Sequence, residues 1–104
     1  MQILPATGKF IADSIGEEFN EKSLYSYETN IKYGTYYISY LSKKFADLSC
    51  VAAAYNAGEG NVSYWLTKYS DDGIRLNHIP YEETEKYVNK VIYNYNRYKS
   101  KYNY

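Results

Sequence analysis

The run Val51-Ala52-Ala53-Ala54-Tyr55-Asn56-Ala57-Gly58-Glu59-Gly60-Asn61-Val62 constrains this chain more than any other stretch. Three successive alanines favour helix and leave room for a neighbouring backbone to come close. Gly58 predicts a left-handed cap at the end of that helix, and Gly60 with Asn61 predicts the turn into the next one. Large polar side chains are rare in such small-residue surroundings unless they face a cavity, so Tyr55 and Asn56 are expected to look into a cleft. Two plainer roles compete: a core tyrosine bonded to a backbone carbonyl, and an asparagine that satisfies the orphan groups of the helix break.

Around this run the pattern predicts five helices and no strand pair, an all-α chain. The first spans Pro5 to about Ile15, with proline in its first turn and Gly16 beyond its end. A second runs from about Glu28 to Phe45, where Ile31, Gly34, Ile38, Leu41 and Phe45 recur at spacings of three and four as one apolar stripe. Gly34 on that stripe predicts a close helix crossing. The third covers roughly Leu48–Ala57 and should be the most buried; the fourth runs from about Asn61 to Tyr69, with Val62, Trp65 and Leu66 inward. Ser70-Asp71-Asp72-Gly73 opens the longest loop. The last helix follows Pro80, carries Glu82 and Glu83 in its first turn, and packs through Thr84, Tyr87, Val88, Val91, Ile92 and Tyr95. Residues 99–104 are expected to fray, and residues 1–104 to form a single domain.

Charge and composition narrow the partners. Twelve basic and twelve acidic residues cancel, which argues against nucleic acid or an anionic membrane as partner. No membrane-spanning run is present in the sequence. Sixteen tyrosines are far above ordinary usage. They suit stacking on the apolar faces of sugars, but Asn, Lys and Ile are enriched as well, so biased composition accounts for most of them. Cys50 stands alone and reads as a small buried apolar residue. His78 reads as a loop histidine and Trp65 as core, since nothing in sequence pairs either with a partner for chemistry. No metal-ligand spacing, phosphate-cradling loop or dinucleotide fingerprint occurs, so no cofactor is expected.

Four segments in order carry a resemblance: Met1-Gln2-Ile3-Leu4-Pro5-Ala6-Thr7, Asn30-Ile31 with Gly34-Thr35-Tyr36-Tyr37, the AYNAG run at 54–58 with Gly60 and Val62, and Ile79-Pro80-Tyr81-Glu82-Glu83-Thr84 with Tyr87 and Val88. Together they resemble the peptidoglycan lytic transglycosylase family, whose catalytic domain has a lysozyme-like, goose-type helical fold. The resemblance implies cleavage of the β-1,4 bond between N-acetylmuramic acid and N-acetylglucosamine, leaving a 1,6-anhydro sugar. It implies peptidoglycan glycan strands as partner and an extracytoplasmic, cell-wall location. It also implies that Gln2, Tyr55, Asn56, Glu83 and Tyr87 contact substrate. Tyr55 would sit near the catalytic carboxyl, and Glu83 would brace the cleft or hold substrate rather than catalyse.

The family's catalytic glutamate stands in an E-S pair ahead of the segment that Met1 opens, and no glutamate of this sequence precedes a serine. The chain is therefore expected to be the C-terminal part of such a domain, inactive alone, and able to self-associate through the surface a missing helix would cover. The alternatives are a non-catalytic glycan-binding module, a goose-type lysozyme fragment, and a helical interaction domain with a tyrosine-rich partner surface.

Overall fold

The computed structural model describes residues 5–102 of the 104, and among these it contains five α-helices and no strand. They are α1 (Pro5–Ser14), α2 (Tyr27–Lys44), α3 (Leu48–Ala57), α4 (Glu59–Lys68) and α5 (Glu82–Tyr102), with a short 3-10 helix at Glu21–Tyr25. The all-α architecture is the one expected. The helices fall into two compact units that divide between Tyr40 and Leu41.

In the first unit, α1 starts on Pro5, whose missing N–H belongs to the turn that has no helical acceptor. Ile11 and Ala12 are fully buried. Phe19 and Leu24 press onto α1 at Gly8, where a Cβ would meet Phe19 Cε1 at 2.9 Å. Within the stretch read as a polar connection, the 3-10 helix is started by Asn20, whose side chain accepts from the Lys22 N–H at 3.0 Å. It is closed by the Asn30 side-chain amide, which donates to the Leu24 carbonyl.

The buried row of α2 corrects the expected stripe. Ile31 and Ile38 are 50% and 40% exposed, while Tyr33 and Tyr37 are 2% and 8% exposed. Positions 33, 37, 41 and 45 recur every four residues and form one row, with Gly34 buried beside it. Ranking residues by hydropathy picks isoleucine over tyrosine. A tyrosine nevertheless buries its ring readily once its hydroxyl has a partner. Here the Tyr33 hydroxyl donates to Glu17 Oε2 at 3.3 Å, and Lys32 pairs with the other carboxylate oxygen. The Lys32 bond holds the Glu17 carboxyl below its usual range.

In the second unit α3 packs against both α4 and α5. Cys50, Val51, Ala52, Ala53 and Ala54 are all buried, as expected of the most enclosed helix. Gly58 alone separates α3 from α4. Its φ of +96° is positive, but its ψ of 146° is extended, so it is not the left-handed helical cap expected. Gly60 and Asn61 also differ from expectation: both lie inside α4 rather than in a turn. The turn is completed by Asn61, whose Nδ2 donates to the Ala57 carbonyl at 2.8 Å. Val62 and Trp65 are buried, and the Trp65 ring meets Tyr81 edge-on with centroids 5.1 Å apart.

The loop from Tyr69 to Tyr81 is tied at several points. Asp72 Oδ1 accepts from the Ile74 and Arg75 N–H groups at 2.8 and 2.9 Å. The Asn77 N–H donates to the Tyr69 carbonyl at 2.7 Å, and the Cys50 thiol donates to the Ile74 carbonyl at 3.3 Å. α5 is anchored by Thr84 and Val88, 2% and 4% exposed, and continues past Tyr98 to Tyr102. Tyr95, expected on its packing stripe, is 48% exposed, because the contacts of α5 are made by its first half.

Two tests follow from this geometry. Gly58→Ala should destabilise the chain by about 1–3 kcal/mol, since a Cβ is strained at that φ, whereas Gly60→Ala should stabilise it by about 0.5–1 kcal/mol, as expected at an open helical site. Urea denaturation of the two variants checks both signs. Burial, followed by the charge of Asp47, pushes the Cys50 thiol up from 9.0 to about 11. The folded state thus keeps a proton that the unfolded state releases, so the stability it contributes is complete below pH 9 and lost as pH rises towards 11. Cys50→Ala should flatten that part of the pH dependence of the urea midpoint.

Candidate functional site

Two segments far apart in sequence meet where α3 packs on α5. Near the C-terminal end of α3, Asn56 Oδ1 accepts a hydrogen bond from Thr84 Oγ1 at 2.7 Å. Thr84 is buried, whereas Asn56 is exposed. One residue back on α3, Tyr55 is half-buried, and three residues on from Thr84, so is Tyr87. The two phenols are close enough for the charge of Tyr87 to act on Tyr55. Burial first, then Tyr87, raises the Tyr55 pKa, and burial alone raises that of Tyr87. Both are therefore neutral hydroxyls at physiological pH, able to donate and accept but not to hold charge.

Of the five residues singled out in the sequence, the structure brings Tyr55, Asn56 and Tyr87 to one helix crossing. Glu83 stands exposed in the first turn of α5, one turn before Tyr87 on the same side. Among the described residues it makes no hydrogen bond or ion pair. Gln2 lies outside the described residues. At the helix break the Ala57 carbonyl accepts from Asn61 Nδ2, while Asn56 Oδ1 accepts from Thr84 across the crossing.

Thr84 is the residue that sequence reasoning missed, because a threonine between apolar positions on a helix stripe reads as packing. Its hydroxyl is what distinguishes it from valine, and an asparagine on the facing helix is the signal that finds it. Glu59 pairs with Lys44 at 3.5 Å, and His78 lies edge-on to Tyr69 with centroids 5.1 Å apart. Among the described residues no group of His, Cys, Asp and Glu is arranged to hold a metal ion, and no helix is long and apolar enough to cross a membrane.

The arrangement offers amide and hydroxyl groups beside aromatic faces. No nucleophile–base pair is formed by these residues. It suits an uncharged polyol or amide-bearing ligand, held by hydrogen bonds and ring contacts. The neutral phenols supply the check. Tyr55 and Tyr87, followed by carbon NMR of the labelled rings, should titrate above pH 10, the ordinary tyrosine value. The sign is that of an acid raised by folding: stability is intact below pH 10 and declines as pH climbs through the folded values. Tyr87→Phe should lessen that decline and bring the Tyr55 midpoint down.

Residues 1–78 match the sequence profile of the transglycosylase SLT domain. The soluble lytic murein transglycosylase of Salmonella typhimurium is 37% identical over 98 residues, covering 88% of this chain and 15% of that protein. The Escherichia coli K12 soluble lytic murein transglycosylase is 36% identical over the same length and coverage. A putative soluble lytic murein transglycosylase of Haemophilus influenzae is 34% identical over 99 residues, 88% of this chain and 16% of its own length. The chain thus spans about 15% of the length of the curated relatives it matches. No solved structure matches it. With 78 of 104 residues inside the profile and more than a third identical to two curated enzymes, the chain belongs to the transglycosylase SLT family.

Proposed function

We propose that this chain forms the substrate-binding part of a peptidoglycan lytic transglycosylase domain, with Tyr55, Asn56, Glu83 and Tyr87 facing the glycan. The observation that carries this is the meeting of the AYNAG run with the E-T-x-x-Y segment through the 2.7 Å bond from Thr84 to Asn56. Two of the family's motifs thereby contribute to a single surface. The relatives' names specify murein as what those proteins act on, and the neutral hydroxyl and amide groups of this surface are those a glycan requires.

In the reaction proposed, one glutamic acid protonates the glycosidic oxygen and then, as carboxylate, takes the proton of the muramoyl C6 hydroxyl. That hydroxyl attacks C1, the glycosidic bond breaks, and a 1,6-anhydro end forms without uptake of water. Ordinary glycosidases divide these tasks between two carboxylates. The glutamate meant is that of the family's E-S pair, and none of the eight glutamates of this sequence precedes a serine. The alanine-rich α3 supplies part of the apolar wall that raises such an acid's pKa, and Tyr55 bonds it or the substrate's acetamido group. Action is on the cell wall, outside the cytoplasm.

The 104-residue chain should bind purified glycan strands yet release no anhydromuropeptides from sacculi, lacking a general-acid contribution of about 10²–10⁴-fold. Joined to a segment that brings the E-S glutamate, it should produce 1,6-anhydro ends, detected by mass spectrometry. Asn56→Ala or Tyr55→Phe in that longer protein should lower turnover by about tenfold or more, the loss expected of a hydrogen bond to a charged transition state. Reducing ends as the product would favour a lysozyme. Anhydro products from the 104-residue chain alone would overturn the assignment of the acid.

A further inference from the structure

The twelve basic and twelve acidic residues balance over the whole chain, but they are not evenly spread. All twelve acidic residues precede Lys86. Residues 86–104 hold five basic side chains, Lys86, Lys90, Arg97, Lys99 and Lys101, and no acidic one. The helix dipole accounts for Lys99 and Lys101, which stand in the last turn of α5. Lys86 is taken by Glu82 at 3.0 Å. Neither reason covers Lys90 and Arg97, which lie between. Packing does not cover them either, since both are exposed, as is every residue from Tyr93 to Lys101.

The charges are also ordered. Tyr87, Lys90, Asn94, Arg97 and Lys101 follow one another at spacings of three and four, so they line one side of α5. That side starts at the candidate site, with Glu83 one turn before Tyr87. Lys90 and Arg97 are about 10 Å apart along the axis at a rise of 1.5 Å per residue. Among the described residues neither forms an ion pair. The Arg97 guanidinium lies over the Tyr93 ring, 5.7 Å from its centroid, and this contact orients its fork of donors. Asn94, Arg97, Tyr98, Ser100 and Lys101 line an open depression of about 490 Å³.

We propose that this side of α5 is a docking surface for the peptide borne by the muramoyl residue of peptidoglycan, with Lys90 and Arg97 holding its carboxylates. This rests on the glycan reading given above and deepens it, by assigning the peptide a place of its own. A strand seated on Tyr55 and Tyr87 passes onto the basic side without leaving the helix, and the peptide is its branching acidic part. Separated cations suit separated carboxylates, Arg97 through a two-pronged bond and Lys90 as a point charge. A nucleic acid presents a phosphate about every 1.7 Å, and Glu82, Glu83 and Glu85 repel so continuous a polyanion from the end where the site lies. A membrane surface calls for apolar side chains beside the cations, where Asn94, Asn96 and Ser100 stand instead.

The experiment titrates the 104-residue chain by NMR with the N-acetylglucosaminyl-N-acetylmuramoyl tetrapeptide and with the same compound whose peptide carboxyl groups are amidated. Tri-N-acetylchitotriose serves as the uncharged glycan without peptide. At low salt the free acid should bind about fivefold or more tightly than the amide, the sum of two exposed ion pairs. Its shifts should extend from residue 87 through residue 101. The preference should vanish in about 1 M salt, where charges are screened within about 3 Å. Lys90→Gln combined with Arg97→Gln should also abolish it, leaving chitotriose affinity unchanged. Lys68→Gln, an exposed lysine of α4, should leave the preference intact.

Equal binding of acid and amide, with chitotriose still shifting residues 55 and 87, would overturn this proposal and leave the glycan reading standing. Chitotriose that leaves those residues unmoved would overturn the glycan reading, and the continuity from Tyr87 with it. A preference that survives the double substitution would overturn the roles of Lys90 and Arg97. So would the assignment to the peptide fall if residues 90–101 shifted more strongly with an oligonucleotide, with anionic phospholipid vesicles, or on concentrating the chain alone.

Discussion

The thinness of α3 is the constraint on which the second unit depends. A helix whose consecutive residues 52, 53 and 54 are all alanine has almost no side chain on any face, so its neighbours can close on its backbone from more than one side. α4 and α5 both do so, and Cys50 through Ala54 are buried as a result. Residues with larger side chains at these positions would hold α5 away from α3. The contact between Thr84 and Asn56, one residue's reach long, would then not form. The geometry of the site is thus set by residues that have no polar atom beyond the backbone.

The break after α3 is the second condition. Gly58 breaks the helix in a single residue, its N–H still bonded to the Ala54 carbonyl at 2.8 Å, and α4 begins at once. A longer α3 would place Tyr55 and Asn56 mid-helix with a further turn beyond them. Because the helix stops at Ala57, both side chains lie at an edge, where Asn56 is exposed and Tyr55 half so. The carbonyl that the break strands at Ala57 is taken up by the side-chain amide of Asn61.

Much of this could be read in the sequence, and the misses have specific causes. The five helices, the site of the break, the enclosed third helix and the buried Trp65 follow from period, glycine placement and residue size. The buried row of α2 does not, because period alone cannot choose between neighbouring faces when both carry apolar residues. The deciding fact was that Glu17, sixteen positions away, offers an acceptor to Tyr33. Gly60 was misplaced for the opposite reason: a local preference for turns was overridden once Asn61 capped the helix before it. For the site, the motif residues on α3 and α5 were legible as candidates. The bond that joins them was not, since a hydrogen bond between positions 56 and 84 leaves no mark in either segment.

Burying tyrosine where isoleucine was expected has a consequence for how this protein changes over time. An aliphatic core position tolerates drift at its neighbours, since any apolar atom is as good a companion as another. Tyr33 requires one oxygen at one place, and Glu17 supplies it while also holding Lys32. Three positions on two segments are thereby bound into one evolutionary unit, and descendants of this sequence should replace them together or keep them together.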